Sequence, residues 1–147
     1  MTLAAACSAV APRYDVPHMN FAKRVFRVAG IYGLVVLVPQ YFMESKIGRD
    51  FPPAITHPEH FYGFVGVALA WQVLFFVIAR DPVRYRGAIV PAILEKLAFG
   101  IAAIVLFAQG RLALPVLGAG IIDLILAALF FLSLRKLPRA FALSDAR

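Results

Sequence analysis

Residues 87–108 read GAIVPAILEKLAFGIAAIVLFA, a 22-residue apolar segment interrupted by two adjacent charges, Glu95 and Lys96. As a helix it rises about 33 Å, enough to cross a hydrocarbon core of about 30 Å. A charge held inside such a span costs roughly 2.5–3.5 kcal/mol on insertion scales. The segment therefore predicts a membrane span and, within it, a polar point that needs partners.

Three further apolar runs flank this one, giving expected spans at about residues 26–43, 57–79, 87–108 and 112–134. The composition agrees: 62% of the 147 residues are hydrophobic and 16% charged, against about 25% charged in soluble domains. The predicted fold is all-α, an integral membrane four-helix up-down bundle in one domain at residues 21–138. Loosely ordered cytoplasmic tails are expected at 1–20 and 139–147. The net charge of +7 does not point to nucleic acid, because the basic residues lie between the spans rather than on one soluble face. Membrane lipids are the expected partners, with a homodimer or a larger membrane complex as further options. The single cysteine, Cys7, allows no intrachain disulfide and no cysteine-based metal site. Leu3 to Cys7 lacks the basic and apolar segments of a lipoprotein leader, so neither lipidation nor a cleaved signal is expected.

The first helix is expected near Phe21, with Lys23, Arg24 and Arg27 before its apolar run and a kink at Pro39. Residues 44–55 (ESKIGRDFPPAI) have no regular period and read as a folded-back connector. Thr56-His57-Pro58-Glu59 fits a capping box opening the second span, and Asp81-Pro82 repeats the acidic-cap-then-proline signal. Gln109-Gly110-Arg111 reads as a tight turn. Eleven Lys and Arg residues flank one side of the expected spans and three the other. That asymmetry places both termini in the cytoplasm.

Counting rise from the cytoplasmic edge places Glu95 at about 12 Å, Lys96 at about 13 Å, Asp123 at about 16 Å, Gln72 at about 12 Å and Tyr32 at about 8 Å. These form a polar layer in the cytoplasmic half. Small residues surround it at helical spacing: Ala119, Gly120 and Ala127 near Asp123; Ala88, Ala92, Ala98 and Ala102 near Glu95; Gly100 and Ala103 near Lys96. Small residues mark close helix approach, so the charges should face the bundle interior. Glu95 and Lys96 diverge by about 100° and should pair poorly with each other, whereas Lys96 can reach Asp123 on the next helix. Glu95 would then accept from Gln72, Tyr32 or the indole of Trp71, or carry a proton. The layer serves either helix register alone or a functional site, in which Glu95 and Asp123 are the catalytic or proton-carrying candidates.

His57 and His60 are the weak metal candidates, together with Glu59, at the outer start of the second span. No cofactor is predicted. Arg80, Arg84, Tyr85 and Arg86 read as lipid headgroup contacts. The Gly63/Gly66 and Gly118/Gly120 pairs read as helix-packing features, and Phe61, Phe64, Phe75, Phe76, Phe130 and Phe131 as lipid contacts.

At PEHFYGF (58–64), AWQ (70–72), ARDPVRYR (79–86) and ILEK (93–96), the chain resembles small bacterial proteins with four membrane helices. In layout it is similar to the DoxX-like group. That resemblance spans about residues 28–112 and implies a bacterial cytoplasmic (inner) membrane location, but no activity or catalytic residue. Two functions remain open. One is a binding protein for a lipophilic small molecule, or an accessory subunit of a membrane complex. The alternative is a membrane-embedded enzyme or proton-coupled transporter built on Glu95, Lys96 and Asp123.

Overall fold

Residues 17–138 are described by a computed structural model. Its helices are α1 (Pro17–Gln40), α2 (Glu44–Asp50), α3 (Pro58–Arg80), α4 (Ile89–Ala108) and α5 (Leu114–Lys136), with a 3-10 turn at Arg86–Ala88 before α4. Strands are absent among the described residues. Three segments are long and apolar enough to cross a membrane: Pro58–Arg80, Arg86–Ala108 and Leu114–Lys136. The bent pair α1–α2 would supply a fourth. Only 28% of each of the three is buried inside the protein, and Val67, Val73, Leu94 and Ile125 stand more than half exposed. Outward faces this apolar suit lipid rather than water.

Several boundaries differ from those the sequence predicts. Residues 17–20 belong to helix α1 rather than to the loose tail. The remainder of both expected tails lies outside the described residues. Pro39 cannot donate to the carbonyl four residues back, and α1 ends at Gln40 instead of bending and running to residue 43. Tight turns then follow, with Phe42 donating to Pro39 and Met43 to Gln40, both at 3.0 Å. The chain swings by 86° into α2. Residues 44–50, expected to be irregular, form this short helix, closed by a Lys46–Asp50 ion pair one turn apart. The Tyr62 hydroxyl donates to Glu44 at 2.8 Å and ties α2 to α3.

Gly110 sits at φ 69°, in the left-handed region that glycine tolerates. Arg111 there donates to the Leu106 carbonyl and Gly110 to that of Phe107, both at 2.9 Å, closing α4 in a Schellman-type turn. Asp81 accepts from the Arg84 backbone N–H at 3.0 Å and shapes the α3–α4 connection.

The long helices pack as two pairs, α1 with α3 and α4 with α5. Contact between α1 and α5 joins them, while α3 and α4 touch little. Glycines set the close approaches. A Cβ at Gly120 would stand 2.5 Å from the Cβ of Ala103, and one at Gly100 would stand 2.6 Å from Leu124. Across the other pair, a Cβ at Gly33 would collide with the Gln72 side chain and one at Gly30 with the Phe76 ring. Of the glycine pairs singled out in the sequence, Gly63 and Gly118 face open space, and only Gly66 and Gly120 make close contacts.

The apolar core fills one end of the bundle, where the start of α1 meets the end of α3, the start of α4 and the end of α5. Phe26 stacks on Phe130 at 4.2 Å between centroids, and Phe75 meets Phe130 edge-on at 5.1 Å. All three rings are fully buried. Phe75 and Phe130 are therefore core residues, not lipid contacts; each lies on the side of its helix that meets two others. Phe64 and Phe131 stay about half exposed.

Candidate functional site

Above the phenylalanine core the two pairs part. The gap between them is a cavity of about 1060 Å³ that reaches the end of the bundle where α2 and the α4–α5 turn lie. Most of its exposed lining is apolar. Phe64, Phe99, Val36 and Val116 line its walls, and Phe51, Asp50 and Arg111 line the region of its mouth. Its floor is polar, formed by Tyr32, Gln72, Glu95, Lys96 and Asp123.

Lys96 is the centre of the floor. It lies on the close-packed stripe of α4 with Ala92, Gly100 and Ala103, and is 6% exposed. Its Nζ stands 3.1 Å from Asp123 Oδ1 and donates to Oδ2 at 3.2 Å. The close α4–α5 approach at Gly100 and Gly120, one turn away, brings these two side chains within reach. Nζ also donates to Glu95 Oε1 at 3.4 Å. The expectation that neighbouring residues diverge too far to pair is corrected here, because the four-carbon lysine stem curls back. The Phe75 ring, 5.5 Å from Nζ, lies beneath the ammonium and links the floor to the core. One cation thus serves two carboxylates and an aromatic face.

Glu95 occupies a different face of α4. Its neighbours Pro91, Ala98 and Ala102 are exposed and mark no helix contact, whereas Ala88 and Ala92, toward the start of the helix, pack into the core. Glu95 Oε2 is buried and lies 3.4 Å from Lys96 Nζ, an ionic contact rather than a hydrogen bond. Gln72 is 1% exposed and lies over Gly33 of α1. Its Nε2 donates to the Ala68 carbonyl at 2.9 Å, which fixes the amide orientation. Its Oε1 then has no partner among the described residues. Trp71, the neighbour of Gln72, packs against the apolar core and does not line the cavity.

Comparison with protein-family models, curated proteins and solved structures gives no match. The DoxX-like resemblance in layout, and the bacterial membrane it implies, find no support there.

Two other groups sit apart from this floor. Arg86 Nη2 donates to the Leu134 carbonyl at 3.2 Å, satisfying the last turn of α5. It is thus a helix-end partner, since the 3-10 turn aims it back at the bundle, and Tyr85 packs on the core. Arg80 and Arg84 are exposed, with Arg84 also 5.6 Å from the Tyr85 ring centroid. At the start of α3 no side chain caps the helix, so the Thr56–Glu59 capping box is not formed. Glu59 turns instead to the histidines: Oε1 lies 3.2 Å from His57 Nδ1 and 4.0 Å from His60 Nε2. Their ligand atoms lie within 4.8 Å of one another, and all three side chains are exposed.

Proposed function

We propose that this is a multi-pass membrane protein that holds a lipophilic small molecule in the cavity between its two helix pairs, alone or as an accessory subunit of a membrane complex. The observation that carries this reading is the cavity itself. At about 1060 Å³ it matches the upper end of small-molecule sites. Its apolar walls suit a hydrocarbon body, and its few polar groups converge at one end, the pattern that fixes a ligand's orientation. The narrow contact between α3 and α4 supports access from the surrounding lipid, with Phe64 and Phe99 flanking that seam at 6.5 Å between ring centroids.

Native mass spectrometry from mild detergent tests the reading, with Ala119→Trp as the control. Ala119 lines the cavity one turn above Asp123, and an indole there would stand over the floor. The wild type is expected to retain a lipophilic mass and the variant to lose it, both with the same helical content. A wild type that emerges bare, or a variant that keeps its ligand, counts against the proposal.

The eleven-to-three excess of Lys and Arg supports termini on the cytoplasmic side. In this orientation the core end faces the cytoplasm and the cavity mouth the opposite side. A reporter fused after Arg147 should be active only in a cytoplasmic form; activity of an externally folding reporter would reverse the assignment.

A further inference from the structure

We propose that the start of α3 binds a divalent transition-metal ion of the zinc, nickel and copper class through His57, Glu59 and His60. The site stands apart from the cavity and does not depend on what the cavity holds. Among the described residues it is the place where three metal-ligating side chains converge, with their ligand atoms all within 4.8 Å of one another.

The donor set selects the metal class. Two imidazoles and one carboxylate suit zinc and its neighbours, whereas calcium and magnesium take oxygen ligands. Three protein ligands leave a further position for water, as in open zinc sites. The backbone supplies the convergence. The His60 N–H donates to the His57 carbonyl at 3.1 Å, so the first turn of α3 sets the two histidines side by side. Glu59 Oε1 faces both rings, 3.2 Å from His57 Nδ1 and 4.0 Å from His60 Nε2. Two donors bound to one tetrahedral ion at about 2.0–2.1 Å stand about 3.3 Å apart. The His57–Glu59 pair already has that separation, and His60 has to close in by about 1 Å. Its side chain is 82% exposed, so no packing opposes that rotation.

The local helix start is compatible with such an ion. No side chain caps α3, so Glu59 gives up no capping bond to bind metal. The positive end of the helix dipole opposes a cation, and the Glu59 carboxylate offsets it. An ion joining His57, the N-cap residue, to Glu59 and His60 inside the helix would fasten the first turn in place of the absent cap.

The test uses the full-length protein without a polyhistidine tag, stripped of metal in mild detergent and titrated calorimetrically with Zn²⁺. The wild type should take up one Zn²⁺ in a saturable step. His57→Ala and His60→Ala should each weaken that binding roughly tenfold or more. Glu59→Gln, which keeps the side-chain shape and removes the charge, should weaken it as well. His18→Ala, at the opposite end of α1 from this site, should leave it unchanged. All three ligand side chains are exposed, so the variants should keep wild-type helical content. Zn²⁺ should also slow amide hydrogen exchange over residues 59–63 in the wild type and not in the His57→Ala/His60→Ala double variant. Absence of saturable uptake, or uptake that the double variant retains, would overturn the site. Exchange that Zn²⁺ leaves unchanged in the wild type would overturn the fastening of the first turn.

Discussion

Lys96→Met is expected to destabilise the protein by roughly 3–5 kcal/mol, the range for removing one partner of a buried ion pair. The substitution keeps an unbranched side chain of similar reach, so the loss is electrostatic rather than steric. Asp123 Oδ1, 3.1 Å from Nζ, and Glu95, 3.4 Å from it, would both lose their cation. The ammonium over Phe75 would be lost as well. The check is detergent-solubilised thermal unfolding together with accumulation in the membrane. The double variant Lys96→Met/Asp123→Leu should recover much of the loss, because two apolar side chains can replace a buried pair at little cost. A single variant as stable as the wild type would mean that the floor is wet enough for its charges to be solvated separately.

Gly120→Leu should have the second large effect, about 1–3 kcal/mol or more of overpacking. Even a methyl group there would come within 2.5 Å of Ala103, and a leucine must push α4 and α5 apart. That interface also aligns Lys96 with Asp123, which lies one turn from Gly120. The two variants should therefore be non-additive: Gly120→Leu in a Lys96→Met background would cost less than alone. Unfolding temperatures of the four proteins of this cycle measure the coupling, and strict additivity would show that packing and ion pair are independent.

The polar residues, their depth and the Lys96–Asp123 pairing are legible in the sequence because helical rise converts position directly into height. Height along a helix does not reveal which face is closed. Small residues around both Glu95 and Lys96 suggest two packed faces, yet only the Lys96 stripe meets α5. Glu95 looks into the space left where α3 and α4 diverge. Nothing local encodes that divergence, since it comes from which helices pair, and so the cavity has no sequence signature. Trp71 shows the same limit, with an indole positioned by core packing rather than by the acid at its own depth. Phe75 and Phe130 read as lipid contacts because an apolar residue in a membrane span carries no marker for inside or outside. Glu59 reads both as a cap and as a partner of His57 and His60, and spacing alone does not rank the two; in the structure its carboxylate turns to His57.

The contact between Arg86 and Leu134 has a mechanical consequence. It clasps the α3–α4 connection to the last turn of α5, beside the ring stack of Phe26, Phe75 and Phe130. Both fasteners lie at one extremity, so the two helix pairs form a pair of tongs with a fixed pivot. With jaws about 20 Å long, set by the rise of some thirteen residues, a rotation of about 6° at the pivot moves the tips by about 2 Å. If the cavity holds a ligand as proposed, such leverage would widen it for a thicker tail while the Lys96 bridge near the fulcrum scarcely shifts.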